Sequence, residues 1–291
     1  MNYEVGKKIK EIREYFNISQ SELCYNICTQ AMISKIEKGE SIPSAEILYQ
    51  LSLRLGVNQN YFFAVTSSGN NYYVDQVIEE MDKSIRQAKY QEVYELVKLE
   101  KRNPLFRHPQ LKQILLWREA ICTFHIEQSA EKAMEIIDAA LDLSTTIDKN
   151  FSSIELKLLN SKSIFLSISN EFEESDKINQ LVINFIEKKQ YIEDPRIAIN
   201  AYYNGSKTSV SFLQFEEAVR RAQKGIDYCM KHEQLYLLGE LYYQKGNSLY
   251  NLSKDNKKEA LKLMDDALWI FNKSQNKVFY QYVSEEMEKI K

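Results

Sequence analysis

Cys24 and Cys28 stand four residues apart in the segment SQSELCYNICTQAMISKIEKGESIPS, Ser19 to Ser44. Two thiols at that spacing share a face if one helix runs through both, and with further ligands they would bind zinc or cycle to a disulfide. No second pair completes such a site in the sequence. The other cysteines are Cys122 and Cys229, and the histidines, His108, His125 and His232, are remote from the pair. The cysteines are therefore read as small buried apolar residues of a reduced protein, and neither a metal nor a cofactor is expected. A Gly-rich phosphate loop, paired metal ligands and a nucleophile motif are also missing, so the chain is not read as an enzyme.

The elements around the cysteines are short helices. Val5, Ile9, Ile12 and Phe16 recur at spacings of four, three and four, which predicts an amphipathic first helix with those four facing inward. Ser19 and Glu22 form a capping box that starts a second helix, with Leu23 and Ile27 inward. Thr29 caps a third helix over Gln30–Lys38, which Gly39 ends in the left-handed conformation. Ser44 caps a fourth carrying Ile47, Leu48, Leu51 and Leu55, ended by Gly56, and Asn58 opens a short fifth with Tyr61, Phe62 and Phe63.

Over the whole chain of 291 residues, 8 glycines and 4 prolines leave little room for the turns of a β-rich fold, so an all-α chain is expected. With 44% apolar and 27% charged residues it can bury a core. The N-terminal stretch lacks the apolar region of a signal peptide, and no apolar run is long enough to span a bilayer; the chain reads as cytoplasmic with no membrane partner. The net charge is −3, from 38 basic and 41 acidic side chains, so any nucleic-acid site must be local.

The five-helix order resembles the helix-turn-helix domain of the phage-repressor (Cro/C1, or XRE) family over residues 1–65. The matching residues are Gln20 and Leu23, the run ISKIEKG (Ile33 to Gly39), Pro43 and the leucines of the fourth helix. The NICTQ turn is one residue shorter than the family's usual spacing. The resemblance implies that the third helix enters a major groove. Thr29, Gln30, Ala31 and Met32 would then meet base edges, with Lys35 one turn on and Gln20 and Lys38 on the backbone. Gln30 can pair with adenine, and Ala31 or Met32 can touch a thymine methyl. Such domains also serve protein contacts alone.

Residues 1–65 hold seven basic and seven acidic side chains. A neutral head makes few phosphate contacts, so two copies on a two-fold double-stranded operator are expected, and with them a homodimer.

After TSSGNN (Thr66 to Asn71), within a linker placed at 66–74, small residues recur in two registers. Ala133, Ser175, Ala218 and Ala260 are spaced 42, 43 and 42, and Ala140, Val182, Gly225 and Ala267 repeat that spacing seven residues on. Residues 75–291 resemble tetratricopeptide repeats, about five helix pairs in a superhelix with a capping helix from Val278 to Ile290, at a period longer than the usual 34. The first helix of each pair would line a concave face. Counting along the repeat consensus places Asn200, Tyr203, Asn204 and Lys207 there, with Glu240, Tyr243, Gln244 and Asn247, and Asn160 and Ser161 in the third repeat. Amides suit an extended peptide, since one Asn side chain can meet both N–H and C=O of its backbone. The same positions could be ordinary solvated helix surface.

A repressor-type head joined to such repeats is similar to the peptide-responsive regulators of low-GC Gram-positive bacteria, of the Rgg, Rap, NprR, PlcR and PrgX types. The PlcR type is the nearest, through Asn26–Gln30, YYQKGNSL (Tyr242 to Leu249) and the FEEA repeat after Asn204. The resemblance implies a homodimer whose concave groove takes a short signalling peptide that gates DNA binding, the chemistry of quorum sensing. It also implies peptide contacts from Asn204, Gln244, Asn160 or Ser161, Tyr282, and Arg86 toward a peptide carboxylate. A repressor whose repeats bind a partner protein is the alternative.

Overall fold

The computed structural model describes residues 2–63, 70–144, 150–189 and 192–290. It divides into two compact units, 1–83 and 84–291. Every regular element among the described residues is helical. Thr66–Gly69 of the expected linker lie outside the described residues, and the chain is helical again from Asn70.

The first unit carries α1 (Asn2–Tyr15), α2 (Gln20–Cys24), α3 (Gln30–Glu37), α4 (Ala45–Leu55) and α5 (Asn60–Phe63). Its caps are those the sequence predicts. Ser19 and Glu22 close a capping box, Thr29 accepts from the Met32 amide, Ser44 accepts from the Ile47 amide, and Gly39 and Gly56 take φ of 76° and 68°. Ile9, Ile12, Leu23, Ile33, Ile36, Leu48, Leu51, Leu55 and Phe62 form one core. The cysteines serve it: Cys24 is buried in it and Cys28 packs against it. Burial holds the Cys28 thiol above its usual range, the reverse of a reactive thiolate.

Phe16 does not face inward as its spacing predicts. It is 54% exposed and meets Tyr15 edge-on. The reason is local: α1 ends at Tyr15, Asn17 turns the chain at φ 54°, and Ile18 packs on the core instead.

The second unit begins within α6 (Asn70–Arg86) and runs through α7 (Tyr90–Glu100), α8 (Pro109–Glu127), α9 (Ala130–Leu141), α10 (Ser153–Ile168), α11 (Phe172–Lys188), α12 (Pro195–Ser211), α13 (Phe215–Lys231), α14 (Leu238–Leu252), α15 (Lys257–Lys273) and α16 (Lys277–Ile290). From α8 onward consecutive helices pack as pairs, and α16 closes the last against α15. Pro109 and Pro195 are first residues of their helices, where a missing N–H costs nothing.

The small-residue registers mark where paired helices touch. Ala133, Ser175, Ala218 and Ala260 are all fully buried, as are Ala140, Val182 and Ala267. A Cβ on Gly225 would come within 3.2 Å of Tyr202 on its paired helix α12, and within 2.7 Å of Leu241 on the next helix, α14. Hydroxyls bridge two of these crossings: Ser175 Oγ donates to the Ser163 carbonyl at 2.8 Å, and Ser206 Oγ to that of Ala218 at 2.7 Å.

First helices also contact first helices along the row α8–α10–α12–α14. No pair of second helices approaches as closely among the described residues. First helices therefore line the inner, concave side of the stack.

Candidate functional site

Among the described residues, polar side chains gather in one region of each unit, exposed in the first and partly buried in the second. In the first, Thr29, Gln30, Ala31, Lys35 and Lys38 are exposed along α3, while Ile33 and Ile36 on its other side are fully buried. Met32 is divided between the two roles: it is half-buried and packs against the core. Beneath the helix, Glu37 accepts two bonds from Arg13, at 2.6 and 3.0 Å. The same carboxylate takes a third from Gln20 Nε2 at 2.7 Å. Gln20, expected on a backbone phosphate, thus spends its amide N–H inside, fixing α2 on α3.

The cations divide in the same way. Lys8 Nζ donates to the Tyr61 carbonyl at 2.9 Å, and Arg54 donates to the Glu22 and Tyr25 carbonyls at the end of α2. Lys7 and Lys10 stand 3.7 and 3.9 Å from Glu11 and Glu14. Lys35 and Lys38 have no ion-pair partner among the described residues. A head that is neutral in total is therefore positive on the face of α3. The short turn before it is made by Asn26 at φ 56°, a conformation asparagine tolerates.

In the second unit the inner row carries two adjoining cavities. The larger, 370 Å³, is lined by Tyr203, Lys207, Tyr243, Gln244, Val278, Phe279 and Tyr282. Tyr243 donates to the Tyr282 hydroxyl at 3.2 Å, the rings 5.5 Å apart and edge-on. The smaller, 80 Å³, is lined by Ser163, Ile164, Ser167, Ile168, Asn204, Lys207 and Thr208. Asn204 is only 8% exposed, yet its Nδ2 has no partner among the described residues. A buried amide donor left open costs on the order of 1–3 kcal/mol, so a ligand acceptor there is well rewarded.

Other expected groove residues do structural work. Asn160 Nδ2 donates to the Ile197 carbonyl at 3.1 Å, and Ser161 Oγ accepts from Trp117 Nε1 at 2.8 Å, joining α10 to α12 and to α8. Asn160 Oδ1 is buried without a partner among the described residues. Asn200 Nδ2 donates to the Tyr236 hydroxyl at 2.9 Å, and Asn247 Oδ1 accepts from Asn251. Glu240 is half-buried, and that burial holds its carboxyl above the usual range. Burial, with Glu240 nearby, pushes the Tyr203 hydroxyl up to about 12. Arg86 is exposed at the end of α6 and lines neither cavity.

Ile164, Ser167, Ile168, Val278 and Phe279 were not expected from the repeat consensus. A signal existed in α10, SIELKLLNSKSIFLSI, whose apolar residues fall on every side of the helix. Ile164 and Ile168 share one face at i, i+4 and stay 37% and 52% exposed.

Residues 78–290 match the RNPP family C-terminal domain, and residues 6–68 match a helix-turn-helix domain. No relative matches among the curated proteins. The structure is similar to that of Bacillus thuringiensis PlcR in complex with the peptide PapR7 and DNA, at 22% identity and a TM-score of 0.81 over 97% of this chain and 99% of that one. It is also similar to ComR from S. thermophilus in complex with DNA and its signalling peptide ComS, at 17% identity and TM-score 0.66 over 98% and 99% of the two chains. The Streptococcus dysgalactiae SHP pheromone receptor Rgg2 aligns at 17% identity and TM-score 0.65 over the same shares.

Proposed function

The chain belongs to the RNPP family, and we propose that it is a DNA-binding transcriptional regulator gated by a short intracellular signalling peptide. Binding, not catalysis, is its chemistry. In this reading residues 1–65 read a two-fold operator, 66–74 link, and 75–291 hold the peptide and dimerise the chain in the cytoplasm. No helix among the described residues is long and apolar enough to cross a membrane.

Gln30 and Ala31 reach base edges, with Thr29 and Lys35 beside them and Lys38 on phosphate. Met32 adds what its half-buried side chain leaves exposed. The peptide lies along α12, α14 and α16 against Tyr203, Asn204, Lys207, Tyr243, Gln244 and Tyr282. Asn160, Ser161, Asn200, Glu240 and Asn247 shape the groove walls, and exposed Arg86 is available to a peptide carboxylate outside the two cavities.

The observation that carries this reading is Asn204, a buried side-chain amide with an open donor beside a cavity on the inner row. An extended peptide carbonyl supplies the missing acceptor. Gating requires the peptide to bind the DNA-competent arrangement more tightly than the other; equal affinities would shift nothing. The test is operator binding by the purified full chain with and without a library of short peptides. The reading predicts that some peptides change DNA affinity, and that Asn204→Ala removes the response while the protein stays folded. If no peptide acts and a protein partner does, the repeats are a protein-docking module instead.

A further inference from the structure

Lys207 lines both cavities of the inner row. Its ammonium has no carboxylate partner among the described residues, and its Nζ lies over the Tyr203 ring, 5.5 Å from the centroid. No Asp or Glu among the described residues lines either cavity.

The small cavity is rich in donors. Asn204 lines it, and its buried Nδ2 has no partner among the described residues. The hydroxyls of Ser163 and Thr208 are already donated inward, to the Asn160 and Asn204 carbonyls at 2.8 and 3.0 Å. What remains for a guest is therefore an amide donor, an ammonium and the Ser167 hydroxyl. At 80 Å³ the space takes a group the size of a few waters, not a ring. The neighbouring cavity is the opposite: 370 Å³, walled by Tyr203, Tyr243, Val278, Phe279 and Tyr282.

We infer that the small cavity is a carboxylate subsite, and that the ligand is a peptide whose acidic group stands beside a bulky apolar or aromatic side chain seated in the larger cavity. Lys207 between them is the charge-selecting residue. This rests on the peptide reading above and narrows it to one class of peptide. The carboxylate comes either from an Asp or Glu side chain or from the peptide's own C terminus.

The experiment is affinity selection of a synthetic random heptapeptide library, half with free and half with amidated C termini, on the full chain and on Lys207→Glu and Asn204→Leu. Thermal melts establish that each variant is folded, and Lys207 is an exposed residue. Selected peptides should pair a carboxylate with a neighbouring Phe, Leu or similar residue. Converting that side chain to Asn or Gln, or amidating the terminus, should weaken binding at least ten-fold, and whichever does so identifies the source. Lys207→Glu should weaken the same peptides at least ten-fold and enrich basic ones. Selected peptides without acidic preference, bound equally by Lys207→Glu, would overturn the subsite while leaving peptide recognition intact. Selection of no peptide at all would overturn both.

Discussion

Arg13 and Glu37 lie 24 residues apart and form a bidentate ion pair between α1 and the end of α3, with Nε to Oε1 at 2.6 Å and Nη2 to Oε2 at 3.0 Å. Both are buried, and Gln20 completes the carboxylate's shell. The pair holds α3 at a fixed angle on the frame, so the exposed residues of that helix are presented together.

Removing one partner leaves the other charge buried. Glu37→Gln should cost about 3–5 kcal/mol in the stability of the first unit. Arg13→Met with Glu37→Leu together should cost much less than the sum of the two single changes. Urea unfolding of all three variants checks this, and additive losses would mean that the pair does not act as a unit.

On the exposed side of α3 two kinds of loss should separate. Gln30→Ala should weaken operator binding by about 1–3 kcal/mol and relax the preference at one base position. Lys38→Ala should weaken binding to all sequences alike and lower the salt slope by about 1. Gel-shift titrations over a salt series on a randomised operator distinguish them.

Glu240 gives a pH dependence of defined sign. Burial raises its carboxyl pKa in the folded protein, so the folded state binds this proton more readily than the unfolded chain. Its contribution to stability is therefore lost as the pH climbs from the ordinary carboxylate value through the raised one. Glu240→Gln should melt higher than the parent at pH 8, and the two should melt together near pH 3.5. Melting curves at both values test it; a parent more stable than the variant at pH 8 would show that Glu240 gains more from its surroundings than it loses.

Leu213, two residues past the end of α12, takes φ 58° with 74% of its surface exposed, a left-handed position held by a residue with a Cβ and little packing. Leu213→Gly should stabilise the chain by up to about 1 kcal/mol, the strain relieved less the entropy glycine adds to the unfolded chain. A rise in the melting midpoint is the expected readout.

The helix ends and repeat registers were legible because they depend on neighbours in sequence. Ser19, Thr29 and Ser44 cap within three residues, and Ala133, Ser175, Ala218 and Ala260 recur at one fully buried position of each second helix. Phe16 misled for the complementary reason. Its spacing continued the pattern of α1, but the helix had ended and Asn17 had turned the chain.

The sequence by itself determined the all-α class, the five-helix head and the helix-pair period, since capping and apolar spacing act over a few residues. It also brought Asn204, Lys207, Gln244 and Tyr282 into view. Only the tertiary structure decided which polar groups are already satisfied. Gln20 turns to Glu37 and Asn200 to Tyr236, Asn160 donates to the Ile197 carbonyl while its Oδ1 stays unpartnered among the described residues, and Asn204 keeps an unpartnered donor. A hydrogen bond between residues distant in the chain depends on the packing of whole helices, and no local spacing encodes it.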